Sequence, residues 1–311
     1  MHYRVTHTTT YAYEELVSIC HNEMRLEPRS APRQRCLATA LAIEPTPAVL
    51  GSSLDYFGNR ASFFTLQEPH HRMVVTARSE LEVSSVRPVR PSATPAWEEL
   101  REQIRTQTTH EALSACEMSF ESPLVPALPA FARYAAPSFS AGRPMLDAVL
   151  DLTHRIHADY EYRPGATSVT TPVEEVLARR HGVCQDFAHL ELACLRALGL
   201  PARYVSGYLH TRRARRDEAK EEEAEREEPA GEPTGEAALV GADASHAWVS
   251  VWCGDAGWID VDPTNDLVTG DHHLTLAWGR DYADVAPIKG VILGGGEHTV
   301  EVAVDVEVVG D

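Results

Sequence analysis

The hydrophobic pattern of this chain changes period twice, and the order of those changes limits the folds open to it. In the first part residues alternate: Tyr3, Val5, His7, Thr9, Tyr11 and Tyr13 fall on one face of an extended strand. Residues 37–43 and 73–83 supply further apolar-rich strand runs. Between them, Asp55-Tyr56-Phe57-Gly58-Asn59-Arg60 reads as a turn, with Gly58-Asn59 suited to positive φ. The middle of the chain is helical, with one helix predicted over Trp97–Thr106 and a better one over 144–160, where Leu146, Val149, Leu150, Thr153 and Ile156 share a face. Strand-like runs return after Gly199, at 202–209, 246–253, 257–261, 291–293 and 299–309. Helices followed by antiparallel strands describe an α+β protein rather than alternating units of a parallel sheet.

This reading assigns a small antiparallel β-domain to 1–85 and a linker with a helical connection to 86–143, with Pro and Ser concentrated over 87–95. A core follows at 144–293, and a C-terminal strand at 294–311. Within the core, about 211–241 breaks the pattern: Arg-Arg-Ala-Arg-Arg leads into a Glu-rich tract with almost no apolar surface to bury, the composition of a disordered acidic insertion.

Composition narrows the function. A formal charge of -18 over 311 residues opposes binding to nucleic acid or an anionic membrane, although much of the acid lies in the run 217–236. No segment is long and apolar enough to span a bilayer, and the first residues lack the apolar stretch of a secretory signal, so a cytoplasmic protein is expected. Six scattered cysteines then read as reduced thiols. No metal or other cofactor is expected: His181, Cys184, His189 and Cys194 cluster, but five-residue steps rotate helix ligands apart, and His272-His273 reads as a loop pair.

The chemistry concentrates in Gly182-Val183-Cys184-Gln185-Asp186-Phe187. A helix predicted from Thr171-Pro172-Val173-Glu174, where Thr171 caps and Glu174 completes a capping box, ends near His181-Gly182. The next helix runs to Gly199 with Phe187, Leu190, Cys194 and Leu198 as its apolar stripe, so Cys184 lies in its first turn. Unpaired N–H groups and the positive dipole end favour a thiolate there, and they also suit a developing oxyanion.

A thiolate nucleophile needs a base and a group that fixes the base's tautomer. Ser245-His246-Ala247-Trp248 opens an alternating strand, and Trp258-Ile259-Asp260-Val261-Asp262 follows it. With 253–257 as the turn, Trp252 pairs with Trp258 and Trp248 with Asp262. His246 and Asp262 then become cofacial diagonal neighbours at a backbone spacing of roughly 7–8 Å. Asp260 shares that face two residues further away. Singly, each residue has an ordinary structural explanation; the combination points to nucleophilic catalysis.

These residues resemble the transglutaminase-like superfamily, in its bacterial branch with an added N-terminal β-domain. The resemblance rests on Gly182 to His189, on Ala202-Arg203-Tyr204-Val205-Ser206-Gly207-Tyr208, on Ser245 to Trp248 and on Gly257 to Thr264. Further blocks are His7 to Tyr11, Arg25-Leu26-Glu27-Pro28-Arg29, Asp55 to Asn59, and Gly279-Arg280-Asp281-Tyr282 through Pro287. It implies a papain-like core of helices on an antiparallel sheet, with Cys184 as nucleophile, His246 as base and Asp262 as orienting group. It also implies acyl transfer from a peptide or protein amide through a thioester. Hydrolysis is the expected outcome, with amine-accepting transglutamination and an inactive peptide-binding module as the other readings. The Cys184 N–H is assigned to the oxyanion, with Tyr160 or Tyr162 as second donor; Gln185 and Trp248 complete the expected substrate contacts.

Overall fold

The computed structural model describes residues 1–85, 88–211, 239–240 and 245–309. The tract expected to be a disordered acidic insertion lies almost wholly outside the described residues.

The alternating N-terminal pattern becomes one 23-residue strand, β1 (His2–Met24), which organises the first sheet. It is joined by β2 (Gln34–Glu44), β3 (Val49–Leu54), β4 (Arg60–Leu66) and β5 (His70–Val83) in the order β2-β5-β1-β4-β3. The turn between β3 and β4 forms as expected around Gly58 at φ 75°, and the Asp55 carboxylate accepts from the Phe57 and Asn59 N–H groups. Only Gly58 of the Gly58-Asn59 pair takes positive φ.

Helices α1 (Trp97–Thr106), α2 (His110–Glu117), α3 (Pro129–Ala135) and α4 (Met145–Asp159) follow. Next come β6 (Glu161–Tyr162), α5 (Val173–Arg179), β7 (His181–Gly182) and α6 (Cys184–Ala197). The second sheet comprises β8 (Ala202–Leu209), β9 (His246–Trp252), β10 (Trp258–Asp262), β11 (Leu267–Val268) and β12 (His273–Gly279), in the order β11-β10-β9-β8-β12 and antiparallel throughout. The chain ends with α7 (Tyr282–Val285), β13 (Ile288–Gly294) and β14 (His298–Val308). The architecture is the expected α+β one, helices on an antiparallel sheet behind a β-domain.

The domain limits differ from those expected. The helical connection packs into the core that follows it: Leu100, Ile104, Val125, Phe131 and Phe139 are buried together with Leu146, Val149, Leu190 and Val249. At the other end, β13 and β14 both pair with β1, so the N-terminal sheet recovers strands from the chain's last residues. The second edge of so long a strand needs partners, and among the described residues the C-terminal strands supply them. The cap of α5 also differs: Pro172 is the N-cap and offers no side-chain acceptor, while the Thr171 hydroxyl accepts from the Ser168 N–H.

Helix α6 departs from the amphipathic expectation. Phe187, Leu190 and Cys194 are buried, but so is every residue from Asp186 to Arg196, because α3, α4 and α5 pack on the side away from β8 and β9. Most of its polar groups are therefore matched individually, although one Glu191 carboxyl oxygen is buried without a partner. Thr153 donates to Glu191 at 2.7 Å, and the Tyr282 N–H donates to His189 Nε2 at 3.1 Å. Arg196 donates to the carbonyls of Met118 and Ala202 at 3.1 and 2.9 Å.

The two sheets meet at the outer edge of β12. The Gln34 amide donates to the Thr275 carbonyl and accepts from its N–H, and Asn59 does the same at Trp278, all at 2.6–3.0 Å. Tyr3, Val5, Leu81 and Val83 pack on Tyr208, Leu274 and Leu276 beside these contacts. Side-chain amides from the β-domain thus stand in for a missing neighbouring strand.

Candidate active site

The approach to Cys184 is fixed by backbone geometry. Helix α5 stops where Arg180 turns left-handed at φ 55°, β7 pairs in parallel with β6, and Val183 is the extended N-cap of α6. Cys184 is therefore the first helical residue, where the amide N–H groups lack intrahelical acceptors. Asp186 folds back to accept from the Val183 N–H at 2.8 Å and the Thr167 hydroxyl at 2.6 Å. Burial raises the Asp186 pKa above the usual carboxylate value, and these two hydrogen bonds oppose the rise. Its oxygen lies 2.7 Å from where a Cβ on Gly182 would stand, so only glycine fits before the cysteine. Cys184 itself is half-buried.

The strands bring the other two groups together. Trp252 pairs with Trp258 and Val249 with Val261, the register expected from the sequence. His246 Nε2 then lies 2.9 Å from Asp262 Oδ2, with both side chains fully buried. Burial disfavours a charged His246, but the Asp262 carboxylate and Cys184 together outweigh it and raise the pKa to about 10. Cys184 adds to this rise electrostatically. His246 Nδ1, the nitrogen not engaged by Asp262, is buried without a hydrogen-bond partner.

Asp262 is heavily clamped. Oδ1 accepts from the N–H groups of Thr264 and Asn265 at 2.9 and 3.2 Å. Oδ2 meets His246, the Asn265 amide at 2.7 Å and His273 Nε2 at 3.1 Å. Burial works against the carboxylate, yet its histidine partners hold the pKa well below the ordinary range. Asp260, the poorer candidate, instead accepts from the Trp248 indole at 3.1 Å.

The remaining expected site residues are placed differently. Tyr160 is a core residue, edge-on to Tyr134 and Phe187, with its hydroxyl toward the Leu177 carbonyl, so it is not a donor to an oxyanion. Trp248 is fully buried against His273 and His246 and has no surface left for substrate. Gln185 spans to the Val169 carbonyl at 3.1 Å and ties the loop before α5 to the helix start. Tyr162 is half-buried against Phe187 and pairs with Gly182, two residues before Cys184. His273 and Asn265 were not anticipated. The alternation of Leu274 and Leu276 after His273 was the available signal that this histidine opens a strand rather than sitting in a loop.

A half-buried cysteine thus begins a helix, and a buried imidazole and carboxylate pair on the adjoining sheet, in a fold of helices on an antiparallel sheet. Comparison with known proteins agrees. The Bacterial transglutaminase-like N-terminal region matches residues 3–82, and the Transglutaminase-like superfamily matches 132–263. An uncharacterized protein of Mycobacterium tuberculosis is 40% identical over 98% of this chain and 92% of its own length. A protein-glutamine gamma-glutamyltransferase of Pseudomonas aeruginosa is 33% identical over 42% of this chain and 17% of its own. The crystal structure of a candidate cysteine protease from Cytophaga hutchinsonii superposes with a TM-score of 0.73 at 20% identity, covering 99% of this chain and 90% of that one, which establishes the shared fold. This chain belongs to the transglutaminase-like superfamily.

Proposed function

We propose that the protein is a cysteine-dependent hydrolase of peptide or protein amide bonds, with Cys184 as nucleophile, His246 as acid and base, and Asp262 as the orienting group. The observation that carries this reading is the His246 ring paired with a fully buried Asp262 at 2.9 Å and lying in the field of the half-buried Cys184 at the start of α6. The thiol proton passes to His246, and the thiolate attacks the amide carbonyl. The resulting oxyanion lies near the Cys184 N–H. The carbon–nitrogen bond breaks as His246 returns the proton to the leaving amine, which leaves a thioester. Water attacks the thioester with His246 taking its proton, and the thiolate departs with a carboxylic acid as product. Asp262 holds the ring orientation and favours the imidazolium throughout.

An amine in place of water gives transglutamination, and the similarity to the Pseudomonas aeruginosa gamma-glutamyltransferase supports that second outcome. A glutamine-containing peptide library incubated with the protein, with and without a primary amine, separates them by mass spectrometry. Cleaved or deamidated peptides support hydrolysis, amine adducts support transfer, and no product in either arm rejects both.

A further inference from the structure

We propose that His273 is a positioning residue of this site: it donates an Nε2 hydrogen bond to the same Asp262 oxygen that holds His246, and so limits how strongly that carboxylate retains the imidazolium. The inference rests on the acyl-transfer reading, and it assigns work to a histidine that the steps above leave unused.

The geometry carries it. His273 Nε2 lies 3.1 Å and His246 Nε2 2.9 Å from Asp262 Oδ2, with the side chains 2% or less exposed. Asp262 is ionised and offers only acceptors, so both nitrogens carry hydrogens. His273 Nδ1 is buried without a partner. A protonated Nδ1 there would be a buried, unmatched donor, which selects the neutral ring with its hydrogen on Nε2. The ring also stands edge-on to Trp248 at 5.2 Å and 89°, and that packing fixes its direction.

The surroundings keep His273 neutral. Burial lowers its tendency to charge first, Asp262 and Asp260 on β10 oppose that, and His246 on β9 adds to it. Glu191 on α6 feels the same Asp262 carboxylate and Asp266, and Cys184 acts on His246. A neutral donor withdraws part of the carboxylate's negative charge from His246, which keeps the base able to release its proton to the leaving amine. The position of His273 is set in turn by the β-domain, because Gln34 pairs with both main-chain groups of Thr275, two residues along β12.

The test uses the full chain labelled with ¹⁵N-histidine, as wild type, His273→Gln, which keeps a donor at the Nε2 position, and His273→Leu, which does not. The wild-type spectrum should show His273 as the neutral Nε2–H tautomer at pH 7. The alkaline titration of His246 should move up by roughly half a unit to one unit in His273→Leu and stay within error in His273→Gln. A role confined to packing would lower thermal stability and leave that titration unmoved. Identical His246 titrations in all three proteins, or a wild-type His273 that is an imidazolium or an Nδ1–H tautomer, would overturn the proposal. If His273→Leu does not fold, the wild-type tautomer still decides it. Iodoacetamide labelling of wild-type Cys184 is scored separately: its failure removes the acyl-transfer reading while the spectra still report on the hydrogen bond.

Discussion

The indole of Trp248 occupies the space above Gly207 that a side chain would need: a Cβ there would stand 2.3 Å from the ring and 2.2 Å from the Leu274 carbonyl oxygen. Gly207 pairs with His246 across β8 and β9, so the absence of a side chain on one strand decides how the aromatic wall lies beneath the imidazole on the next. Gly207→Ala should destabilise the protein by about 1–3 kcal/mol, since one of the clashing atoms is backbone and cannot rotate away. Thermal denaturation measures this, and an unchanged midpoint would contradict the packing described.

Cys20, Cys194 and Cys253 are buried, and of the half-buried Cys36, Cys116 and Cys184 it is Cys184 that begins α6 and interacts electrostatically with His246. Iodoacetamide near neutral pH should therefore modify Cys184 first among the six thiols. His246→Ala should slow that modification by about 10²-fold. Peptide mapping after timed labelling reads both outcomes, and even labelling across the thiols would count against an activated nucleophile.

Stability should fall on the alkaline side. The folded pKa of His246 is raised to about 10 from 6.5, so its contribution is fully present below about pH 6.5 and is lost as pH rises toward 10. Urea denaturation from pH 6.5 to 10 should show a steeper decline for wild type than for His246→Gln. Parallel profiles would mean that the imidazolium contributes nothing to folding.

Glu191 gives a second, separable slope. Burial raises its pKa to about 8, Thr153 opposes that rise with a hydrogen bond, and the second carboxyl oxygen has no partner. The folded state then holds a proton that the unfolded chain releases near pH 4.5, so stability declines from about 4.5 to 8. Glu191→Gln should remove this decline and be no less stable than wild type at pH 8 by the same denaturation measurement.

Asn59→Ala should leave the Trp278 N–H and carbonyl without their matched partner, at a cost of about 1–3 kcal/mol for an unsatisfied buried group. Hydrogen exchange should quicken at Trp278 in β12 more than in β9, because β12 is the strand that the β-domain seals. Uniform exchange would indicate that docking does not depend on this amide.

Much of the local structure was legible because it depends on neighbours in sequence. Helix α1 and strand β8 begin and end where periodicity places them, and the β9–β10 register follows from one short turn, so the His246 and Asp262 pairing could be anticipated. Tyr160 and Trp248 were misplaced for the opposite reason. An aromatic near a catalytic cysteine can face a cleft or a core, and only the packing of Tyr134, Phe187 and His273 around them decides it.

The amino-acid order alone determined the succession of strands and helices, the cysteine at a helix start and the two side chains that share a sheet face, since each follows from short-range backbone geometry. Tertiary structure alone decided that β13 and β14 return to β1, that α6 is enclosed on every side, and that His273 shares the Asp262 oxygen with His246. These contacts join residues far apart along the chain, and their energies depend on burial and on matching polar groups, neither of which a local pattern contains.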